Sequence, residues 1–310
     1  MQTHRFAFNA MGCPCEFTLE STDRAAAAHA AAAARAEVER LDRKYSHYRD
    51  DSLVAALAAA ADRGAVIEVD DETAALLDFS AALHAQSTGR FDITAGALTA
   101  LWDAQRGRVP SADEIAAALA RTGWQRVRWQ RPRVAFSVKG MRLDLGGVVK
   151  EYAADRAAQA CRDAGIRHGV IDLGGDLAAV GAHADGSAWR AGIKAPRNPQ
   201  GALASIELRH GGLATSGDYE RALLVDGRRY SHIIDPRSGI PVESFASVSV
   251  LADSCLVAGA ASTLGMLMGL DEGQAWLQQL GLPFLCVTAA GKVSGTLDLA
   301  GHHAMHAPHE

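Results

Sequence analysis

YSHIIDPRSGIPV, Tyr230–Val242, lies near the end of the stretch that decides the fold. From Gly169 to Val250 the sequence is almost entirely β in character, with short apolar and β-branched runs broken by Gly, Asp, Asn and Pro clusters. Helical signals gather on either side of this stretch. Strands and helices therefore do not alternate strictly, which disfavours a doubly wound parallel sheet. The expected architecture is α+β, with mixed or antiparallel sheets and packed helices.

Working outward, Phe6–Leu19 reads as a strand interrupted by Gly12 and Pro14. Arg24–Tyr45 is an Ala-rich helix whose apolar stripe continues through Val38 and Leu41. A short strand is expected at Val66–Val69, then a helix from Asp71–Glu72 to about Ser87, ended by Thr88-Gly89. Ser111-Ala-Asp-Glu114 reads as a capping box opening a helix to about Arg121. Two or three strands fit between Val127 and Leu143, with turns at Arg131-Pro132 and Lys139-Gly140. Lys150–Gly165 and Leu256–Leu280 read as helices, the latter broken near Gly269, and Leu285–Ser294 as a closing hairpin. Asp-Leu-Gly-Gly occurs twice, at Asp144–Gly147 and Asp172–Gly175. It marks either two related halves or a coincidence in a glycine-rich chain.

The chain has 310 residues, 48% of them apolar and 22% charged, so it can bury a sizeable core and wholesale disorder is excluded. Residues 1–310 are read as one domain. Net charge is -5 without a long basic run, which argues against a polyanion surface and hence against nucleic acid. No apolar run approaches the roughly 18 residues that span a bilayer. The first residues lack a basic segment followed by an apolar one, so a cytoplasmic location is expected. The five cysteines are scattered and odd in number, which fits reduced thiols, with Cys13 and Cys15 read as strand residues. The His-rich tail, about 301–310, is expected to be a flexible terminus.

Chemistry concentrates in a few segments. Around YSHIIDPRSGIPV and the upstream TSGDYER (Thr215–Arg221), titratable groups crowd two turns flanked by apolar strands. Such groups are costly to bury without partners, and their concentration marks a site. In TGRFDITAGAL (Thr88–Leu98) an aromatic and a carboxylate follow a helix-ending glycine. In LDLGGVVKEYAAD (Leu143–Asp155) a strand ends at Asp144, two glycines allow close approach, and Lys150 falls in the first turn of a helix. That junction offers free N–H groups and a positive dipole to a phosphate. It is neither a Walker A loop nor a complete G-x-G-x-x-G turn. Met11-Gly12 and the distant Ser46-His47-Tyr48 together offer an apolar and aromatic surface for a flat ring.

Taken in this order, MG, S-x-Y, G-x-FD-x-T-x-G, DLGG-x-x-K-x-Y-A-A-D, LGGD, TSGDY and SHIIDP-x-SG-x-P closely resemble the ApbE family of FAD:protein FMN transferases, over about Phe6 to Leu270. The resemblance implies that FAD is held by Met11, Tyr48, Arg90, Phe91, Asp92, Asp144, Lys150 and Ile234. Apolar and aromatic groups would take the flat rings, and Lys150 with backbone amides would face the pyrophosphate. It also implies His232 as a general base that activates a Thr or Ser hydroxyl of an acceptor protein, with AMP released. Imidazole suits that task near neutrality.

The resemblance further implies a Mg²⁺ held by Thr263, the backbone carbonyl of Gly147 and an aspartate. Here the aspartate position is Gly259, a gap where a carboxylate would stand, and filling it with Asp is expected to tighten the metal site. A second departure is Glu151, where the family commonly has glycine after the lysine. Two alternatives stand beside this reading: an FAD pyrophosphatase giving FMN and AMP, with water replacing the acceptor, or, because the aspartate position is Gly259, an FAD-binding protein without catalysis.

Overall fold

The computed structural model describes residues 1–219 and 222–297, without the side chains of 199 and 200. Glu220, Arg221 and the His-rich tail lie outside the described residues. The framework is an eight-stranded sheet in which every neighbouring pair is antiparallel. Its strands run in order Gln2–Ala10, Cys13–Ser21, His168–Leu173, Asp176–Gly181, Gly212–Gly217, Phe245–Ala252, Phe284–Thr288 and Val293–Gly295.

The amino-terminal stretch is therefore two strands rather than one interrupted strand. Met11 and Gly12 both take positive φ, 52° and 70°, the pairing that a tight hairpin of matching twist requires. Pro14 sits opposite Asn9 near the start of the second strand. The second Asp-Leu-Gly-Gly run forms a similar turn, with Gly174 and Gly175 at φ 66° and 95° between two sheet strands. The first run is a loop leading into a helix, so the two repeats take different forms.

Helices α1 (Arg24–Tyr45), α2 (Leu53–Arg63), α3 (Asp71–Gln86), α4 (Gly96–Thr99) and α5 (Ala112–Leu119) fall between the second and third sheet strands. With them is a three-stranded sheet, Ile67–Glu68, Val127–Gln130 and Arg133–Phe136, so the segment before Leu143 holds two strands. Ser111 and Glu114 make the expected capping box. Helix α2 has no counterpart in the sequence reading, although Ser52 caps its start, Gly64 ends it, and Val54, Leu57, Ala60 and Ala61 recur at helical spacing. Helix α6 (Val149–Asp163) precedes the third strand, while α7 (Cys255–Met268) and α8 (Leu270–Leu280) meet at the Gly269 break.

Alternation places Cys15, Phe17, Leu19, Ile171 and Leu173 in one core with the small-residue faces of α1 and α6 (Ala30, Ala34, Ala154, Ala158). Alanine lets these helices approach the sheet and each other closely. The opposite face is partly covered by the hairpin Trp189–Ala195 and Asn198–Leu208, whose Ala191, Ile193 and Ile206 pack with Leu213 and Leu285. Phe245–Ala252 is buried on both faces in consequence and reads as a continuous apolar run. No helix among the described residues is long and apolar enough to cross a membrane.

Candidate active site

Three loops distant in sequence are tied together by hydrogen bonds to backbone carbonyls. The Asp144 N–H donates to the Ile93 carbonyl at 2.7 Å, and the Gly96 N–H to the Arg142 carbonyl at 3.2 Å. These join the GRFDIT loop to the DLGG loop. Gly96 is needed at the junction, because a Cβ there would stand 2.8 Å from the Arg142 carbonyl oxygen. The Trp102 indole N–H then donates to the Gly239 carbonyl at 2.9 Å, anchoring the Asp235–Gly239 turn of the HIIDP segment on the same body.

Within this assembly each expected residue has a definite place. Phe91 is buried and lies against Gly147, where a Cβ would be 3.5 Å from the ring. The Asp92 carboxylate accepts from Thr94 N–H (2.8 Å), Thr94 O–H (2.6 Å) and Trp124 N–H (2.8 Å), so it pins its own loop. Asp144 likewise accepts from Gly146 N–H at 2.8 Å and from the Thr99 hydroxyl at 2.9 Å, shaping the turn into α6. Ile234 is buried with Leu98 and Trp102. Arg90 is engaged by Glu272 of α8 in a two-pronged ion pair, with one contact at 2.6 Å. Tyr48 is 71% exposed beyond the end of α1, its ring against His47 rather than inside a cavity. His232 is half-buried beside the buried Ser231, whose hydroxyl accepts from Ile233 N–H at 3.1 Å.

Two of the expected residues line separate cavities, Asp92 one and Met11 the other, while the remaining expected residues line neither. One, about 380 Å³, is lined by His84, Gly89, Asp92, Gly123, Pro236 and Arg237 among others. The other, about 320 Å³, surrounds the Met11 hairpin tip and Asp42, whose carboxylate accepts from Met11 N–H at 3.1 Å. From the first, Phe91 beside Asp92 lies against Gly147, and α6, which carries Lys150, begins two residues later. No side chain caps the amino-terminal end of α6, as an anion-binding helix start requires.

Beneath this band lies a buried polar cluster that the sequence reading did not assemble. Lys150 pairs with Asp176, which is 2% exposed and also accepts from Thr215 N–H at 3.1 Å. Burial works against the Lys150 ammonium, but the Asp176 carboxylate outweighs it and holds the pKa above the usual lysine range. Glu151 is 7% exposed, and its Oε2 has no hydrogen-bond partner. Burial, then the negative charge of Asp176, push its carboxyl up to about 7. The Ser216 hydroxyl bridges Ser262 (2.8 Å) and Thr263 (2.9 Å) of α7. Asp176 and Ser216 were within quoted motifs; the signal for Asp176 is a carboxylate directly following a two-glycine turn. His84 carried no such signal, since it sits in the last turn of an ordinary helix and reaches Asp92 at 3.5 Å only through the fold.

The gap expected at Gly259 does not exist. A Cβ at Gly259 would lie 2.4 Å from Glu151 Cγ and 2.9 Å from its Cδ, so the glutamate side chain fills that space. Gly259→Asp would collide with Glu151 instead of completing a vacant site. The donors gathered here are hard oxygens, from Glu151, Asp176, Ser216 and Thr263, and one of them is an orphaned carboxylate oxygen; this set suits Mg²⁺. Among the described residues no three His, Cys, Asp or Glu side chains form a self-sufficient metal cage.

The ApbE family model matches residues 11–286, spanning all three loops and the polar cluster. The chain belongs to the ApbE family. Its relatives include an FAD:protein FMN transferase of Klebsiella pneumoniae, 30% identical over 292 residues that cover 91% of this chain and 83% of that protein. The Escherichia coli K12 FAD:protein FMN transferase is 31% identical over 233 residues, covering 72% of this chain and 66% of its own length. The crystal structure of an ApbE protein from Thermotoga maritima superposes with a TM-score of 0.88 at 32% identity, covering 95% of this chain and 97% of that one. The Pseudomonas stutzeri flavinyl transferase ApbE gives 0.82, also at 32% identity, with 95% of each chain covered. The α+β reading and the family resemblance both hold.

Proposed function

We propose that this ApbE-family chain is an enzyme that transfers FMN from FAD to a Thr or Ser hydroxyl of an acceptor protein, releasing AMP. The observation that carries the reading is the joining of the GRFDIT, DLGG–Lys150 and HIIDP loops through Phe91–Gly147 and Trp102–Gly239, in a chain whose relatives are named for that activity.

FAD would lie along the band between the two cavities. Met11, Phe91 and Ile234 supply apolar surface, while Lys150 and the uncapped start of α6 face the pyrophosphate. Asp92 and Asp144 act through the backbone, holding their loops in the shape that admits the ligand. Tyr48, now exposed, would close over a ring from the end of α1, and Arg90 would serve as a neighbouring cation steadied by Glu272.

Thr263 and the Gly147 carbonyl would hold Mg²⁺, which when bound offsets negative charge on the pyrophosphate. His232 accepts the proton of the acceptor hydroxyl as that oxygen bonds to the FMN phosphorus, and the bond to the AMP oxygen breaks. The chain's own contribution is chiefly positioning: loops pinned by side-chain carboxylates keep phosphate, base and acceptor in one arrangement.

Incubation with FAD, Mg²⁺ and a candidate acceptor tests the reading. Flavin covalently attached to the acceptor is the expected result. Free FMN with AMP would assign the chain as a pyrophosphatase, and unchanged bound FAD as a binding protein.

A further inference from the structure

The two departures from the family pattern, Glu151 and Gly259, are the same place in space. They lie 108 positions apart by number, on α6 and α7, yet the Glu151 side chain occupies the position that a side chain at 259 would take. The register that brings them together is fixed independently. Asp155, one turn beyond Glu151, accepts from the Cys255 and Leu256 N–H groups at 2.9 Å each, capping α7 one turn before Gly259. Thr263, one turn after Gly259, faces Ser216 in the same cluster. A glutamate reaches farther than an aspartate by one methylene, which suits delivery of a carboxylate across from the neighbouring helix.

We propose that Glu151 supplies from α6 the metal-binding carboxylate that position 259 of α7 lacks, so that the magnesium site is kept with one ligand moved between helices. The proposal rests on the flavin-transfer reading above. Its support is the buried Oε2 of Glu151, which has no hydrogen-bond partner although the carboxyl lies beside Asp176. Two carboxylates buried side by side are expensive, and a hard cation shared with phosphate oxygens is the partner whose chemistry matches the hydroxyl and carboxylate surroundings of Glu151. Gly259 is then required for space, and the pair is interchangeable only if both residues change together.

Calorimetric titration of Mg²⁺ into the FAD-bound protein, with melting curves and FAD fluorescence recorded for each variant, tests this. Glu151→Gln keeps the shape, so it should melt near the native temperature and bind FAD, with Mg²⁺ affinity at least about tenfold weaker, the scale on which even outer-shell partners act. Gly259→Asp alone should melt lower, because of the collision. The double exchange, Glu151→Gly with Gly259→Asp, should recover Mg²⁺ affinity to within a few-fold of native. A Glu151→Gln protein that binds FAD and takes up Mg²⁺ at native affinity overturns the proposal. So does a folded double exchange that binds FAD but stays as weak for Mg²⁺ as Glu151→Gln, and this second variant decides the matter if the first does not fold. Failure of the native chain to bind FAD at all would instead sink the functional reading beneath it.

Discussion

Single atoms set several functions of this chain, and glycines show it most directly. At Gly96 a methyl group would press on the Arg142 carbonyl at 2.8 Å, within the junction of two site loops. Gly96→Ala should therefore cost about 1–3 kcal/mol, seen as a lower urea midpoint, and should weaken FAD binding because the GRFDIT loop must shift. An unchanged midpoint would show that the junction can yield. His232 is a contrasting case, in which chemistry and packing separate. Its replacement by alanine should leave FAD affinity nearly native and lower FMN transfer by about 10²–10⁴-fold, as removal of a general base does. Native transfer rates in that variant would assign the imidazole to structure. Sequence made the motif residues visible because glycine, aspartate and histidine are unusual in apolar strands. It could not reveal that Glu151 fills the space at Gly259, since nothing local to either position records a neighbour on another helix.

Between elements, ion pairs add to the joining that the shared apolar core provides. Helices α1 and α3 meet through Arg40, Lys44 and Glu72, with Arg40–Glu72 at 2.6 Å and Lys44–Glu72 at 2.8 Å. Hydrogen bonds from Arg40, and then Lys44, overcome burial and lower the Glu72 pKa from 4.5 to about 2. Because the folded value is the depressed one, the stabilisation is complete above pH 4.5 and is lost as pH falls toward 2. Its size is about 1–3 kcal/mol after allowance for partial exposure. Melting temperatures across that range should fall more steeply for the native chain than for Glu72→Gln, and parallel curves would argue against the assignment. Most elements were legible from local signals: α1 from its alanine stripe, α5 from Ser111 and Glu114, the α7–α8 break from Gly269. The amino-terminal hairpin was missed because Met11 is an unusual residue for positive φ, so the turn lacked its expected Asn-Gly signature.

Across the whole molecule, a ligand that bridges loops from residues 11 to 263 should act as a clamp. FAD at about a hundred times its Kd should add roughly 2.7 kcal/mol and raise the melting temperature by roughly 5 °C. AMP alone, holding one end, should give a smaller rise, and equal shifts would count against a site spanning both cavities. The sheet itself has a further consequence, in time rather than in space. Its strands lie in the order in which the chain presents them, yet Glu20 pairs with His168, and everything between must be set aside before that rung can close. On a ribosome, the hairpin of Gln2–Ala10 and Cys13–Ser21 emerges ahead of the other sheet strands and waits until His168–Leu173 is made before it gains its neighbour. Loop closure of that span is slow, and the waiting edge offers unpaired backbone to other nascent chains. The first pair of sheet strands made thus waits longest for its neighbour.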